Sequence, residues 1–265
     1  MATTPRLNFP QGMLVAKAEK TADSINADGG AAIAFAGDIT NNEVIPRLIR
    51  KAAEFGQGKI HIIINNAGYA WDDPVEKIKD EQWGEISILS ALTESRLSHI
   101  SAETIIALHN TAPFKLVRAA APYFMVKDGE QRSIVNVSST SGVHGNAGQA
   151  SYALAKAGLI GLTKTLAQEW GPEYGVRVNA VAFGAIKTRL TQAPAGEYVV
   201  RADGTKHPVG FYGGYDEEDK WVGDIPLRRI GSPTEAGRAV LAIVSPLFSY
   251  VTGHTLMVTG GKGGM

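Results

Sequence analysis

Short apolar segments alternate along this chain with longer segments of helical periodicity. Each apolar segment has the length of a buried strand and ends at turn residues, whereas the longer segments repeat apolar positions every three or four residues. The predicted strands are Ala31–Ala36, Ile60–Ile64, Ser133–Val137, Val176–Val181 and Thr255–Val258. The predicted helices are Asn42–Phe55, Thr111–Val126, Tyr152–Trp170 and Pro233–Val244. This alternation is typical of a doubly wound parallel sheet, so the sequence predicts an α/β fold.

Residues 190–226 do not follow this pattern. They are rich in glycine, tyrosine and charged residues, as in Gly210–Tyr215, and they show no steady period. A loop of this length inside a compact domain is commonly a functional lid or a disordered excursion. We expect a substrate lid.

Composition narrows the function classes. The chain has 265 residues, enough for one large domain, and we expect a single domain over residues 1–265. Its 26 basic residues balance its 26 acidic residues, which argues against binding to nucleic acid or to anionic membranes. The absence of cysteine excludes disulfides, thiolate metal sites and a cysteine nucleophile. The 6 histidines show no metal-ligand spacing, so we expect no metal.

The sequence favours a cytoplasmic protein. No apolar run approaches the roughly 20 residues of a membrane-spanning helix, and the N-terminus has no signal-peptide core. An organelle transit segment is the alternative, because Arg6 and Lys17 precede the first acidic residue, Glu19.

Tyr152 and Lys156 are the strongest candidates for chemistry. They lie four residues apart near the start of a predicted helix, which places both side chains on one face. A neighbouring ammonium favours the phenolate, so the pair forms a usable acid/base. Spacing alone is weak evidence, but Ser139 follows a predicted strand, where its hydroxyl could meet the phenol. Ligands of open parallel sheets bind at this carboxyl edge, which also includes Ser138, Asn65 and Gly68.

These residues belong to an ordered series of motifs. The series is Asn-Asn-Ala-Gly at 65–68, Val-Ser-Ser at 137–139, Tyr-x-x-x-Lys at 152–156 and Arg-Val-Asn at 177–179. With the C-terminal segments at 225–231 and 250–254, the series resembles the short-chain dehydrogenases/reductases, and most closely their 3-oxoacyl-carrier-protein reductase branch. The resemblance implies a Rossmann-like oxidoreductase.

The resemblance also implies catalytic roles. Tyr152 would exchange a proton with the substrate oxygen, and Lys156 would lower the pKa of Tyr152 and bind the nicotinamide ribose. Ser139 would donate a hydrogen bond to the carbonyl oxygen. Asn110 matches the helix asparagine whose backbone carbonyl binds a water of the proton relay.

The implied cofactor is NAD or NADP. Asp38 matches the acid that binds adenine, the Asn65–Gly68 turn packs along the adenosine, and the loop after the Arg-Val-Asn strand encloses the nicotinamide carboxamide and phosphates. The implied cofactor-binding residues are Asp38, Ile39, Asn65, Ala67, Gly68, Tyr152, Lys156, Gly184, Ile186 and Thr188.

The sequence departs from the family in two main places, with a smaller departure at Phe183, which stands where the family usually has proline before Gly184. The Thr-Gly-x-x-x-Gly-x-Gly turn is absent, residues 1–15 are unmatched, and the resemblance begins near Ala16, so we expect an N-terminally incomplete sheet with unpaired strands. Residues 84–104 form an insertion, which must loop out of the adjoining helix. One hypothesis for both is a gene product with a late start codon and a retained non-coding segment.

The predicted function is NAD(P)-dependent interconversion of a ketone or 3-oxoacyl group with a secondary alcohol. The partners would be a small-molecule carbonyl or alcohol substrate and copies of the chain, associated through the helices Thr111–Val126 and Tyr152–Trp170. The alternatives are a catalytically silent relative that associates with intact homologues, and an unstable truncated product.

Overall fold

The computed structural model describes residues 11–70, 74–78, 83, 102–188, 191, 198–200, 206–208 and 222–263. The described strands are β1 (Ile62–Asn65), β2 (Ser133–Ser139), β3 (Arg177–Phe183), β4 (Tyr198–Val200), β5 (Lys206–Pro208) and β6 (Thr255–Val258). The described helices are α1 (Gln11–Ala27), α2 (Val44–Phe55), α3 (Ala102–Ile106), α4 (Ala112–Phe124), α5 (Thr140–His144), α6 (Ala150–Tyr174) and α7 (Pro233–Val244). A π-helical segment, Ala107–Thr111, joins α3 to α4.

A four-stranded parallel sheet in the order β1-β2-β3-β6 forms the centre of the molecule. Both of its faces are covered. One apolar cluster joins Ile134 of β2 to α2, α4 and α6, and a second joins Val135, the next residue of β2, to Ile243 of α7. Because successive residues of a strand point to opposite faces, this arrangement confirms the predicted doubly wound α/β fold.

The helix α6 packs its length against this sheet. Its buried residues recur every three or four positions, from Tyr152 through Leu159 and Leu166 to Trp170. That spacing forms one apolar stripe along the helix, which explains why the helix lies flat on β2 and β3. Gly175 ends the helix in a left-handed conformation, with φ of 67°.

The predicted strand at Ala31–Ala36 is wrong. These residues have no regular secondary structure, and Ile33 is exposed. A strand forms only where a neighbouring strand completes its hydrogen bonds, and no described strand lies beside residues 31–36. They border instead a cleft of about 400 Å³, lined also by Phe55 of α2 and Ile62 of β1.

The other predicted elements form, most of them with shifted ends. α7 and β6 have the predicted bounds, and α6 continues to Tyr174. Most residues of the expected lid at 190–226 lie outside the described part of the chain. The described lid residues include the antiparallel pair β4–β5 and residues 222–226. The expected insertion at 84–104 also lies outside the described part, except for residues 102–104 of α3.

Within the described residues, no helix has both the length and the apolar character needed to cross a membrane.

Candidate active site

Two adjacent serines end the central strand β2, and the structure gives them different surroundings. The hydroxyl of Ser138 donates to the Lys156 carbonyl at 2.8 Å, which ties the strand to α6. The hydroxyl of Ser139 accepts a hydrogen bond from the Ser141 backbone N–H at 3.2 Å and so caps the N-terminus of α5. Both side chains are buried at the carboxyl edge of the sheet. Ser138 is therefore a structural contact, and Ser139 is the one beside the turn that leads to Tyr152.

Tyr152 and Lys156 lie on the buried stripe of α6. The Lys156 ammonium is 5.5 Å from the centroid of the Tyr152 ring, and it donates to the Val137 carbonyl of β2 at 2.7 Å. Lys156 is only 4% exposed, and this burial lowers its pKa to about 7. At this distance a charged Lys156 would favour the phenolate form of Tyr152, which stays a prediction.

Asn110 lies on the π-helical segment and reaches the same stretch of α6. Its Nδ2 donates to the Ala155 carbonyl at 2.8 Å, next to Lys156 in the chain. The wider π turn places the Ala112 backbone N–H on the Ala107 carbonyl, five residues back. π-Helical turns occur frequently at functional sites. A Cβ at position 158 would lie 2.5 Å from Asn110 Nδ2, so the glycine makes this helix contact possible.

The Asn65–Gly68 turn follows β1 at the same edge. Asn65 Nδ2 donates to the Asn136 side chain of β2 at 2.7 Å, and Asn136 in turn donates to Thr163 of α6 at 2.8 Å. This network fixes the turn relative to α6. The polar Asn136 in the middle of an apolar strand is a sequence signal of this network, and it lies outside the motifs that predicted the site.

The remaining cofactor candidates occupy turns on either side of this centre. Asp38 Oδ1 accepts hydrogen bonds from the backbone and the side chain of Thr40, at 2.9 and 2.7 Å, and Ile39 is half-buried between them. After β3, the Gly184 backbone N–H donates to the Val258 carbonyl at 3.0 Å, and Ile186 forms a β-bridge with Gly231. The Thr188 backbone N–H donates to the Thr191 hydroxyl at 2.8 Å in a short turn. Ala67 is exposed on the Asn65–Gly68 turn. The contacts that these residues make to a cofactor stay a prediction.

Two residues outside the predicted set shape the site. A Cβ at Gly142 would lie 2.6 Å from the Lys156 backbone carbon, so this glycine allows α5 to pack closely on α6. His109 is almost fully buried, and its ring stands edge to face with Tyr152, the two centroids being 5.6 Å apart. Across the described residues, no group of three or more potential ligands could bind a metal ion.

Strands that end in Asn65 and Ser139, with a Tyr-x-x-x-Lys helix packed behind them, define an oxidoreductase of the short-chain type. The chain belongs to the short chain dehydrogenase family, whose model matches residues 12–197. The family prediction is thereby confirmed, and the protein is an oxidoreductase that acts on CH–OH groups.

Curated relatives cover most of the chain. The sequence is 35% identical over 234 residues to a 3-oxoacyl-acyl-carrier-protein reductase of Vibrio cholerae, covering 88% of this chain and 78% of that protein. It is 32% identical over 244 residues to the Escherichia coli reductase of the same name, covering 92% and 82%.

Solved structures agree on the fold. A putative short-chain alcohol dehydrogenase of Sinorhizobium meliloti superposes with a TM-score of 0.72 at 28% identity, covering 93% of this chain and 82% of that chain. A short-chain dehydrogenase of Brucella melitensis, titled as a glucose/ribitol dehydrogenase, superposes with a TM-score of 0.67 at 23% identity, covering 93% and 81%.

Proposed function

We propose that the protein is an NAD(P)-dependent oxidoreductase that interconverts a ketone or 3-oxoacyl group with a secondary alcohol. The observation that carries the proposal is the placement of Tyr152 and Lys156 on one buried stripe, with the ammonium 5.5 Å from the phenol ring. The nearby end of β2 supplies Ser139. The relatives' names favour a 3-oxoacyl thioester as the substrate class.

Each residue has a defined task in this reaction. In the reducing direction Tyr152 transfers its phenol proton to the substrate oxygen, leaving a phenolate that the Lys156 ammonium stabilises. Ser139 donates a hydrogen bond to the same oxygen as negative charge develops on it. Asn110 fixes the backbone of α6 beside both groups, through its bond to Ala155. In the oxidising direction the phenolate takes the proton back.

The residues at this edge fit the nicotinamide end of NAD(P), which supplies or accepts the hydride when bound. Lys156 presents a cation at the end of β2, where the ribose hydroxyls of a dinucleotide would accept its hydrogen bonds. None of the residues that the proposal assigns distinguishes NAD from NADP. The discriminating experiment is therefore a titration with both NADH and NADPH.

Association of copies through α4 and α6 is part of the proposal. Phe114 on α4 is 48% exposed and Leu154 on α6 is 54% exposed. Large apolar side chains exposed on two packed helices favour an interface there. Sedimentation of the Leu154→Glu variant is expected to show smaller species than the wild-type chain.

The test begins with cofactor binding by the purified full chain. Nicotinamide fluorescence and thermal stabilisation are followed during titration with NADH and with NADPH, and turnover is then measured with acetoacetyl-CoA. We expect saturable binding of one nucleotide. We also expect at least a roughly 100-fold loss of kcat in Tyr152→Phe, with nucleotide binding retained.

Tyr250→Phe is the matched control, because Tyr250 is fully exposed and far along the chain from the site. The Tyr250→Phe variant should reduce acetoacetyl-CoA at the same rate as the wild-type chain. A folded chain that binds neither nucleotide would refute the enzyme proposal and favour the silent relative that associates with homologues. Turnover that survives Tyr152→Phe would refute the role of the phenol.

A further inference from the structure

His109 is the most buried ionisable side chain beside Tyr152 that has no task in the proposed reaction. It is 1% exposed and precedes Asn110 on the π-helical segment. Its Nε2 lies 2.8 Å from the Tyr69 carbonyl oxygen, and its ring meets the Tyr152 ring at an interplanar angle of 85°. One imidazole therefore contacts both the loop after β1 and the phenol on α6.

These contacts fix the tautomer of His109. A carbonyl oxygen only accepts hydrogen bonds, so Nε2 must carry the proton and Nδ1 must be the unprotonated acceptor. Nδ1 is buried and has no hydrogen-bond partner among the described residues. Protonation would bury a second N–H without an acceptor and place a cation near Lys156. Burial, first, and the charge of Lys156, second, lower the pKa of His109 to about 3, so the ring stays neutral.

The space around Gly68 shows how closely the His109 ring packs against the turn at residues 65–68. A Cβ at position 68 would overlap Cε1 of His109, and it would lie 2.9 Å from Nδ1. The φ of Gly68 is not in the left-handed region, so the backbone itself does not require glycine there. The imidazole is thus packed directly against the backbone of the Asn65–Gly68 turn.

We propose that His109 is a positioning residue, a neutral imidazole that joins the turn at residues 65–69 to Tyr152 and fixes the phenol for proton transfer. The proposal rests on the proposed function, in which Tyr152 is the proton donor. His109 itself exchanges no proton with the substrate. Two contacts of His109 are both required for this role: the hydrogen bond from Nε2–H to the Tyr69 carbonyl, and the contact of the imidazole ring with the Tyr152 ring.

Two substitutions separate these contacts. His109→Gln keeps a donor for the Tyr69 carbonyl and removes the ring, whereas His109→Phe keeps a ring against Tyr152 and removes the donor. Because misplacement of a reacting group by about 1 Å can lower rates about 100-fold, we expect each variant to lower kcat about 10-fold to 100-fold. The KM for acetoacetyl-CoA should change by less than about 3-fold, since His109 does not bind the substrate.

The solvent deuterium isotope effect on kcat distinguishes positioning from a merely structural role. A misplaced phenol makes proton transfer slower and more rate-limiting, so the isotope effect should increase in both variants. A smaller folded fraction would lower kcat and leave the isotope effect unchanged. His254→Gln is the control, because His254 is exposed, and it should match the wild-type chain in every measurement.

Gly68→Ala supplies a second, independent measurement. In the wild-type background its Cβ displaces the imidazole, so kcat and the melting temperature should both fall. In the His109→Ala background the added methyl meets no ring, and Gly68→Ala should cause little further loss of melting temperature. This non-additivity is the signature of direct contact.

The outcomes separate the two proposals. Suppose that the wild-type chain turns over the probe and Tyr152→Phe does not. Unchanged kcat and isotope effects in His109→Gln and His109→Phe would then overturn the positioning role alone. The positioning role would also be overturned if kcat fell in parallel with the melting temperature while the isotope effect stayed constant. If the wild-type chain shows no Tyr152-dependent turnover, the proposed function has failed, and the positioning role is overturned with it.

Discussion

Lys156 is a buried cation whose side chain meets a backbone carbonyl, Val137, on the adjacent strand. Burial lowers its pKa from 10.5 to about 7. Between these values the unfolded chain binds a proton that the folded chain has released, so the free energy of unfolding rises with pH from about 7 to about 10.5. The slope contributed by this one group is at most about 1.4 kcal/mol per pH unit.

Lys156→Met should therefore raise stability most at low pH. We expect the variant to be more stable than the wild-type chain at pH 6.5, with a difference that shrinks as the pH rises to 10, while turnover is lost. Urea unfolding at four pH values in this window measures the difference. Lys164→Met, an exposed substitution on the same helix, provides the control slope. A pH-independent difference between the Lys156→Met variant and the wild-type chain would contradict the assignment.

The two serines at the end of β2 should respond oppositely to removal of the hydroxyl. Ser138→Ala deletes the bond to the Lys156 carbonyl, and we expect a stability loss of about 1–3 kcal/mol with kcat largely retained. Ser139→Ala should lower kcat about 10-fold to 1000-fold, since in the proposed reaction this hydroxyl donates a hydrogen bond to the substrate oxygen. Unfolding and steady-state kinetics on both variants check the pair. Equal kinetic losses would show that the assignment of roles is wrong.

At the scale of elements, Arg177 secures the end of α7 to the sheet. Its guanidinium donates to the carbonyls of Ile243 and Val244 at 2.9 Å and of Phe248 at 3.0 Å. A cation at the C-terminus of a helix is favourable because the unpaired carbonyls there carry partial negative charge. The Arg-Val-Asn motif was identified from the sequence by resemblance alone, and this contact gives its first residue a physical role.

Arg177→Met should destabilise the protein by at least about 3 kcal/mol, because it leaves several buried carbonyls without a donor. Arg177→Lys should recover only part of this loss, since one ammonium cannot reproduce the planar fork of donors. Urea unfolding measures the change, and hydrogen exchange should localise it to α7. Arg238→Met, an exposed change on the same helix, is the control and should have little effect.

Periodicity predicted most elements because their apolar residues face a core on the sheet. α7 was also predictable at its N-terminus, where Ser232 and Glu235 form a capping box around Pro233, the first residue of the helix. Ala31–Ala36 has strand-like composition, yet a strand depends on a neighbour that local sequence does not reveal. The π turn at Ala107–Thr111 was not predicted either, and its contact with α6 through Asn110 and the Ala155 carbonyl joins segments 45 residues apart.

At the scale of the whole molecule, the sequence identified Tyr152 and Lys156, which lie together in the structure, and missed the residues that orient them. Tyr152, Lys156 and Ser139 were identifiable because the spacing of a helix and the end of a strand place them on one edge. His109 and Asn136 were not, since their contacts join segments far apart in the chain, at 40 residues from Tyr69 and 71 residues from Asn65. Long-range contacts of this kind depend on the packed fold.

The outer edge of β1 is a consequence of the same fold. β1 pairs with β2 on one side, and no described strand pairs with it on the other. Ile62 and Ile64 there are 47% and 46% exposed. An apolar strand edge with open backbone groups is a template for pairing with another chain, so we expect wild-type protein to self-associate through this edge at high concentration.

Ile64→Lys should suppress that association, because a charged side chain at an edge opposes the approach of another strand. Since Ile64 is already half-exposed, stability should change by less than about 1 kcal/mol. Static light scattering over a concentration series compares the variant with the wild-type chain. Leu247→Lys adds the same charge to a residue that is 87% exposed and distant in sequence from β1, so it controls for net charge alone. Equal suppression by both variants would show that charge, and not the open edge of β1, governs association.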